Sequence, residues 1–174
     1  MARKKSPTDS GPPTVPASRR QPMREFSRSL PMSLLRAREA VMRQFRPSLR
    51  NHGLTEQQWR ILRALTAVET IEVTELARMA FLLGPSLSRI LRDLEARQLI
   101  ERKTAQADQR RAVVSISPKG LKLIEAVAPT SEAIYAEITR RFGARRLSEL
   151  QEMLAALEQG LADMAGTEGD DGEE

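Results

Sequence analysis

The sequence predicts a mainly α-helical fold carrying one small β-hairpin, and three observations predict it. Apolar residues recur at the three- and four-residue spacing of an amphipathic helix in six segments between residues 33 and 164. Between them, LIERK at 99–103 and AVVSI at 112–116 are short β-prone runs separated by polar, charged TAQADQRR. Helix-breaking and helix-starting residues (Gly53, Pro85, Ser117-Pro118 and Gly143) stand at the borders of the periodic segments.

The elements follow in order. From residue 33 to about 51, Leu34, Leu35, Val41, Met42, Phe45 and Leu49 share one face of a first helix, and Gly53 supplies its stop. Thr55 opens a second helix with Gln58 three positions on, the spacing of a capping box, and Ile61, Leu62, Leu65 and Val68 line its inner face. A short third helix starts near Thr74 with Leu76, Ala77, Met79 and Ala80 apolar. After Phe81-Leu82-Leu83-Gly84, Pro85 sits where a helix begins, and Leu87, Ile90, Leu91 and Leu94 mark the stripe of a fourth helix reaching about Arg97. Ser117 and Pro118 supply the N-cap and first-turn proline of a fifth helix, which runs to Phe142 with a kink expected at Pro129. A sixth runs from about 145 to 164. Its Leu147, Leu150, Leu154, Leu157, Leu161 and Met164 form a narrow, coiled-coil-like seam that needs a partner helix.

Composition removes several function classes. At 174 residues the chain fits one domain with a substantial core. With no Cys and one His it has no disulfide framework, no thiolate or multi-histidine metal site and no cysteine nucleophile, so no metal or cofactor is expected. No apolar run is long enough to span a membrane and no signal peptide is visible, so a cytoplasmic protein is expected. The net charge of +5 is polarised along the chain. Residues 1–31 carry seven basic residues against two acids, with six prolines, and read as a disordered basic arm. Residues 165–174 carry five acids and no base, and read as a disordered acidic tail. No internal repeat is present. The segment between the arm and the tail is Arg-rich, which suits bidentate contact with phosphate or carboxylate.

Two short helices, the second opening on proline, followed by a basic hairpin, make the layout of a winged helix-turn-helix. The Leu87/Ile90/Leu91/Leu94 stripe serves the core, so the opposite face presents Ser86, Ser88, Arg89 and Arg92 together toward a groove. Ser86 and the first-turn amides after Pro85 can bind phosphate at the positive helix end. From Pro85 to Arg111 there are seven bases against four acids. A solvated helix of mixed charge would also read this way, and the hairpin directly after it is what argues for DNA.

A second feature lies on the first helix. With Leu34 at 0°, Val41 falls near 340°, Phe45 near 20°, Arg38 near 40° and Met42 near 80°, at about 100° per residue. Arg38 is therefore expected inside the apolar arc, where a guanidinium needs an anionic partner. That partner is either an acidic side chain, in this subunit or across a dimer, or the carboxylate of an aromatic acid whose ring packs on Phe45, Met42 and Trp59. His52 beside Gly53 reads as a C-capping cation or a ligand contact, and Trp59 as core or a ligand contact. Pro47 can bend the helix beside them.

Over roughly residues 33–164 the chain resembles the MarR family of dimeric winged-helix transcription regulators. The segments that carry the resemblance are LTEQQWRILRAL, ELARMAFLLGPSLSRILRDLEARQLIER and ADQRRAVVSISPKG. Asp108-Gln109-Arg110 followed by a strand matches the family's Asp-x-Arg wing, and SPKG stands where the family usually has Leu-Thr-x-x-Gly. The leading LLRAREAVMRQFRP and HGLTEQQWR are similar to regulators of aromatic-acid degradation within it. The resemblance implies a winged lobe over about 54–117 and dimerisation helices over about 33–52 and 118–164. It implies that Arg110 enters the minor groove with Asp108 orienting it and Arg111 alongside, and that Pro85, Ser86, Ser88, Arg89 and Arg92 lie on the recognition helix. A ligand cleft between the first, second and fifth helices would be bordered by His52 and Trp59, with Arg46 and Arg60 flanking. The implied protein is a homodimer on double-stranded, pseudo-palindromic operator DNA. It represses an aromatic-compound catabolic operon of the homoprotocatechuate or hydroxyphenylacetate kind and is released by a small aromatic carboxylate. An architectural DNA-binding dimer without an effector is the alternative; with one His and no Cys, Gly-rich phosphate loop or clustered acid pair, an enzyme is not expected.

Overall fold

A computed structural model describes residues 25–104 and 112–166. Two units divide the chain between Arg38 and Glu39. In the first, the described residues form a 3-10 turn at Phe26–Arg28 and the opening of helix α1 (Leu30–Asn51). Regular structure thus begins before residue 32, inside the segment read as an arm; residues 1–24 lie outside the described residues. Pro31 falls in the first turn of α1, where its missing N–H costs nothing.

The second unit holds the rest of α1 and all other elements: α2 (Glu56–Leu65), β1 (Ile71–Glu72), α3 (Val73–Met79), α4 (Gly84–Ala96), β2 (Ile100–Thr104), β3 (Ala112–Ile116), α5 (Pro118–Phe142) and α6 (Ala144–Gly166). The Thr55 capping box forms as the spacing predicts: Gln58 N–H donates to Thr55 Oγ1 at 3.2 Å and Thr55 N–H donates to Gln58 Oε1 at 2.9 Å. The Gln58 amide is buried and also donates to Asp93 Oδ2 at 2.7 Å, tying α2 to α4. Val68 lies beyond the end of α2, and Met79 in the third helix is exposed. Pro47 and Pro129 sit inside α1 and α5, and both helices continue through them.

The hairpin is the larger part of a three-stranded antiparallel sheet in the order β1-β3-β2. Ile100 pairs with Ile116 and Thr104 with Ala112, while Ile71 pairs with Val114 from the other side. β1 was not expected; two residues are too short to show a period. The core gathers Leu49, Leu54, Ile61, Leu62, Leu65, Leu76, Leu87, Leu91, Leu94 and Val114 from α1, α2, α3, α4, the α1–α2 turn and β3. This is a winged helix-turn-helix with long helices before and after it.

Candidate nucleic-acid interface

α4 has two contrasting faces. Leu87, Ile90, Leu91 and Leu94 are buried, whereas Pro85, Ser86, Ser88, Arg89 and Arg92 are all exposed. Pro85 stands in the first turn and the N-cap Leu83 supplies no side-chain bond to its amides, while Leu87 N–H donates to Leu83 O at 3.0 Å. Arg92 Nε donates to Ser88 O at 3.4 Å, a loose bond that leaves the guanidinium on the open face. β2 and β3 follow at once. Asp108, Arg110 and Arg111, the expected wing contacts, lie outside the described residues. At the base of the wing, Arg102 pairs with Glu95 at 3.7 Å and Lys103 with Glu101 at 3.2 Å.

The expected ligand contacts are placed differently from one another. Arg38 is exposed, as are Leu34, Leu35 and Val41 on its stripe, so in the single chain the cation is not embedded in apolar surroundings. A helical wheel fixes only direction around the axis, not what lies against that face. Phe45 is buried and meets Tyr135 with ring centroids 5.0 Å apart. Met42 and Trp59 are half-buried against the core, and the Arg63 guanidinium lies 5.9 Å from the Trp59 ring centroid. His52 Nδ1 donates to the Ser48 carbonyl at 2.8 Å, which is the C-capping arrangement. Arg46 and Arg60 are already engaged. Arg46 forms ion pairs with Glu39 and Glu56, joining α1 to the first turn of α2, and Arg60 Nη1 donates to Ala80 O at 2.7 Å at the end of α3.

Two cavities flank these residues. One, of about 480 Å³, lies between α1 and α5 and is lined by Val41, Gln44, Ile134, Ile138, Glu137 and Arg141 among others. Of the expected ligand contacts none lines it, and the sequence reading missed Gln44, Glu137 and Arg141. Their signal was present, since Glu137 and Arg141 share one face of α5 at i, i+4, but nothing in the spacing says that α1 lies opposite. The other, of about 540 Å³, is strongly basic, with His52, Arg97, Lys119 and Lys122 on its walls. Among the described residues no cluster of His, Asp and Glu could hold a metal, and no helix is long and apolar enough to cross a membrane.

Comparison with known proteins agrees with this geometry. A family model described as MarR family matches residues 52–111. The homoprotocatechuate degradative operon repressor of Escherichia coli is 38% identical over 126 residues, 72% of this chain and 85% of that protein. The crystal structure of NadR in complex with 4-hydroxyphenylacetate is 36% identical, with a TM-score of 0.69 over 79% of this chain and 97% of NadR. The transcriptional repressor CouR bound to a 23-mer DNA duplex is 26% identical, with a TM-score of 0.71 over 80% of this chain and 99% of CouR. With the winged fold, the two-faced α4 and a relative this similar over most of its own length, the chain belongs to the MarR family and is a transcriptional regulator, not an enzyme.

Proposed function

We propose that this regulator is a cytoplasmic homodimeric repressor of an aromatic-compound catabolic operon, of the homoprotocatechuate or hydroxyphenylacetate kind, and that a small aromatic carboxylate releases it from a pseudo-palindromic operator. One observation carries the DNA-binding part: α4 spends its apolar stripe on the core and leaves Pro85, Ser86, Ser88, Arg89 and Arg92 exposed beside the hairpin. In a dimer the two α4 helices enter successive major grooves about 34–36 Å apart. Arg110 and Arg111, with Asp108 to orient, supply cations for the adjacent minor groove, where a narrow A·T-rich stretch concentrates negative potential.

The effector reading rests on the similarity to a repressor named for homoprotocatechuate degradation and to a structure holding 4-hydroxyphenylacetate. Its anchor is Arg38, whose exposed apolar stripe becomes enclosed when a second subunit covers it, with Met42, Phe45, His52 and Trp59 as the further contacts on α1, α2 and the turn between them. The acid need only prefer the non-binding state by a few kcal/mol to control the promoter.

Gel shifts test both halves. The purified chain is expected to bind a duplex from upstream of its own gene far more tightly than a random duplex at physiological salt; equal affinity removes the repressor reading. A panel of phenolic acids, 4-hydroxyphenylacetate among them, is expected to release the wild type. Arg38→Ala should keep DNA affinity within about twofold while losing release. Undiminished release from that variant overturns the anchor, and no release by any acid from the wild type favours an architectural dimer.

A further inference from the structure

Three helices end on the same pair of hydrogen bonds, two of them on a non-glycine residue, and one of those two is a bulky aromatic. At the end of α1, Gly53 takes φ +65°, its N–H donates to Arg50 O at 2.9 Å and that of Leu54 to Leu49 O at 2.9 Å. At the end of α4, Gln98 takes φ +61°, with Gln98 N–H on Glu95 O at 2.8 Å and Leu99 N–H on Leu94 O at 2.9 Å. At the end of α3, Phe81 takes φ +50°, with Phe81 N–H on Arg78 O at 3.1 Å and Leu82 N–H on Ala77 O at 3.0 Å. This termination needs a left-handed residue, for which glycine is suited and a bulky aromatic is not.

Packing does not compensate Phe81. In each ending the next residue turns inward: Leu54 and Leu99 are buried and Leu82 packs against the core. Phe81 itself is 78% exposed, and so is Leu83. Leu83 is the N-cap of α4 and makes no side-chain cap, at a position where Ser, Thr, Asp or Asn would satisfy an orphan amide. Two large apolar side chains therefore stand in water at backbone positions where a small or polar residue would fold better. Both immediately precede the end of α4 that carries Pro85, Ser86, Ser88 and Arg89. Gly84, between them and Pro85, has open space around the position of a Cβ, so the chain can approach a neighbouring surface closely there.

We propose that Phe81 and Leu83 are specificity-determining DNA contacts, which enter the major groove beside the N-terminus of α4 and pack on the C5-methyl groups of thymine. That methyl is the one apolar feature on the major-groove edges of the bases, and the first residues of a recognition helix are the part that reaches those edges. The left-handed backbone at Phe81 holds its aromatic ring in solvent beside that helix end, available for such readout. The inference rests on the DNA-binding reading above and adds to it the base that the turn recognises.

The test uses the full chain and a duplex amplified from upstream of its own gene, once with dTTP and once with dUTP, which removes every thymine methyl and keeps every base-pair hydrogen bond. Phe81→Gly is expected to melt roughly 2–4 °C higher than wild type, because the strained position is relieved. It is nonetheless expected to bind the thymine duplex about five- to tenfold more weakly. On the uracil duplex the wild type should fall by a similar factor and Phe81→Gly should lose little more. Leu83→Ser is expected to behave alike. Phe81→Gly binding the thymine duplex as tightly as wild type overturns the inference alone, as does a thymine-to-uracil ratio that is the same in both proteins. If affinity is unchanged and a larger assembly dissociates in sedimentation, the patch belongs to a protein partner and the inference is likewise overturned. A wild type that prefers neither duplex to random DNA overturns the repressor reading and this inference with it.

Discussion

Glu137 lies between two guanidinium groups on α5. Arg140 Nε and Nη2 donate to its two oxygens, each at 2.7 Å, and Arg141 Nε adds a second bond to one of them. The hydrogen bond from Arg140, then that from Arg141, hold the carboxyl down at about 2 from its usual 4.5. Because the folded-state value is depressed, the stabilisation is fully present above about pH 4.5 and is lost as the pH falls toward 2. Glu137→Gln is therefore expected to lower the urea midpoint at pH 7, and the gap between variant and wild type should shrink steadily between pH 4.5 and 3. Salt should narrow the gap as well, since these groups are in solvent. A gap constant with pH would mean that the triad does not form in solution. At this scale the sequence was legible only where partners are near in the chain. The i, i+3 and i, i+4 spacing of Glu137, Arg140 and Arg141 can be read from the helix period. The pairing of Arg46 with Glu56, the use of Arg60 on the Ala80 carbonyl and the Gln58–Asp93 bond cannot, because each depends on how one element lies against another. That is why Arg46 and Arg60 were candidates for a ligand they are not free to bind.

Helices are legible when their start and stop chemistry is written in single residues. Thr55 with Gln58, Pro85, Ser117 with Pro118 and Gly143 all mark the ends they predict. The ends of α3 and α4 are less legible, because Phe81 and Gln98 do a job that glycine ordinarily signals. β1 was invisible because its pairing with β3 is tertiary, and the exposure of Arg38 was illegible because a helical wheel shows a face but not what covers it. Gly120 illustrates the same limit. It was read only as part of a family motif, yet a Cβ there would lie 2.2 Å from the Leu99 carbonyl oxygen and 2.8 Å from Ile116 Cγ1. The junction is further clamped by Ser117, whose N–H donates to Leu99 O at 3.1 Å and whose Oγ donates to Gln98 O at 2.6 Å and accepts from Gly120 N–H at 3.0 Å. In an ordinary helix Gly→Ala stabilises by about 1 kcal/mol. Here the nearest neighbour is the Leu99 carbonyl, just before β2 and held by the Ser117 N–H, so Gly120→Ala is expected to destabilise by about 3 kcal/mol in urea unfolding. A change within about 0.5 kcal/mol of zero would mean that α5 can slide off the base of the wing.

For the molecule as a whole, the decisive surface is the one the single chain leaves bare. Along α6, about 35 Å long at 1.5 Å per residue, Leu150, Leu154, Leu161 and Met153 are exposed, and Leu154 is 40% accessible despite its place in the middle of the seam. Among the described residues α5 is the element α6 meets most, and those side chains stay exposed. A stripe of this length is costly in water, and the proposed homodimer would bury it. Two copies would also place two α4 helices on one duplex, and a bivalent grip of that kind strengthens binding by a factor of 100 or more relative to one lobe. Leu154→Glu combined with Leu161→Glu puts charge on the seam while keeping helix propensity. The double variant is expected to sediment as a folded monomer with unchanged helical circular dichroism, and to lose about 100-fold or more in affinity for the upstream duplex. If it remains a dimer with full affinity, the two lobes are joined through another face, and the apolar stripe of α1 around Leu34 and Val41 becomes the surface to substitute next.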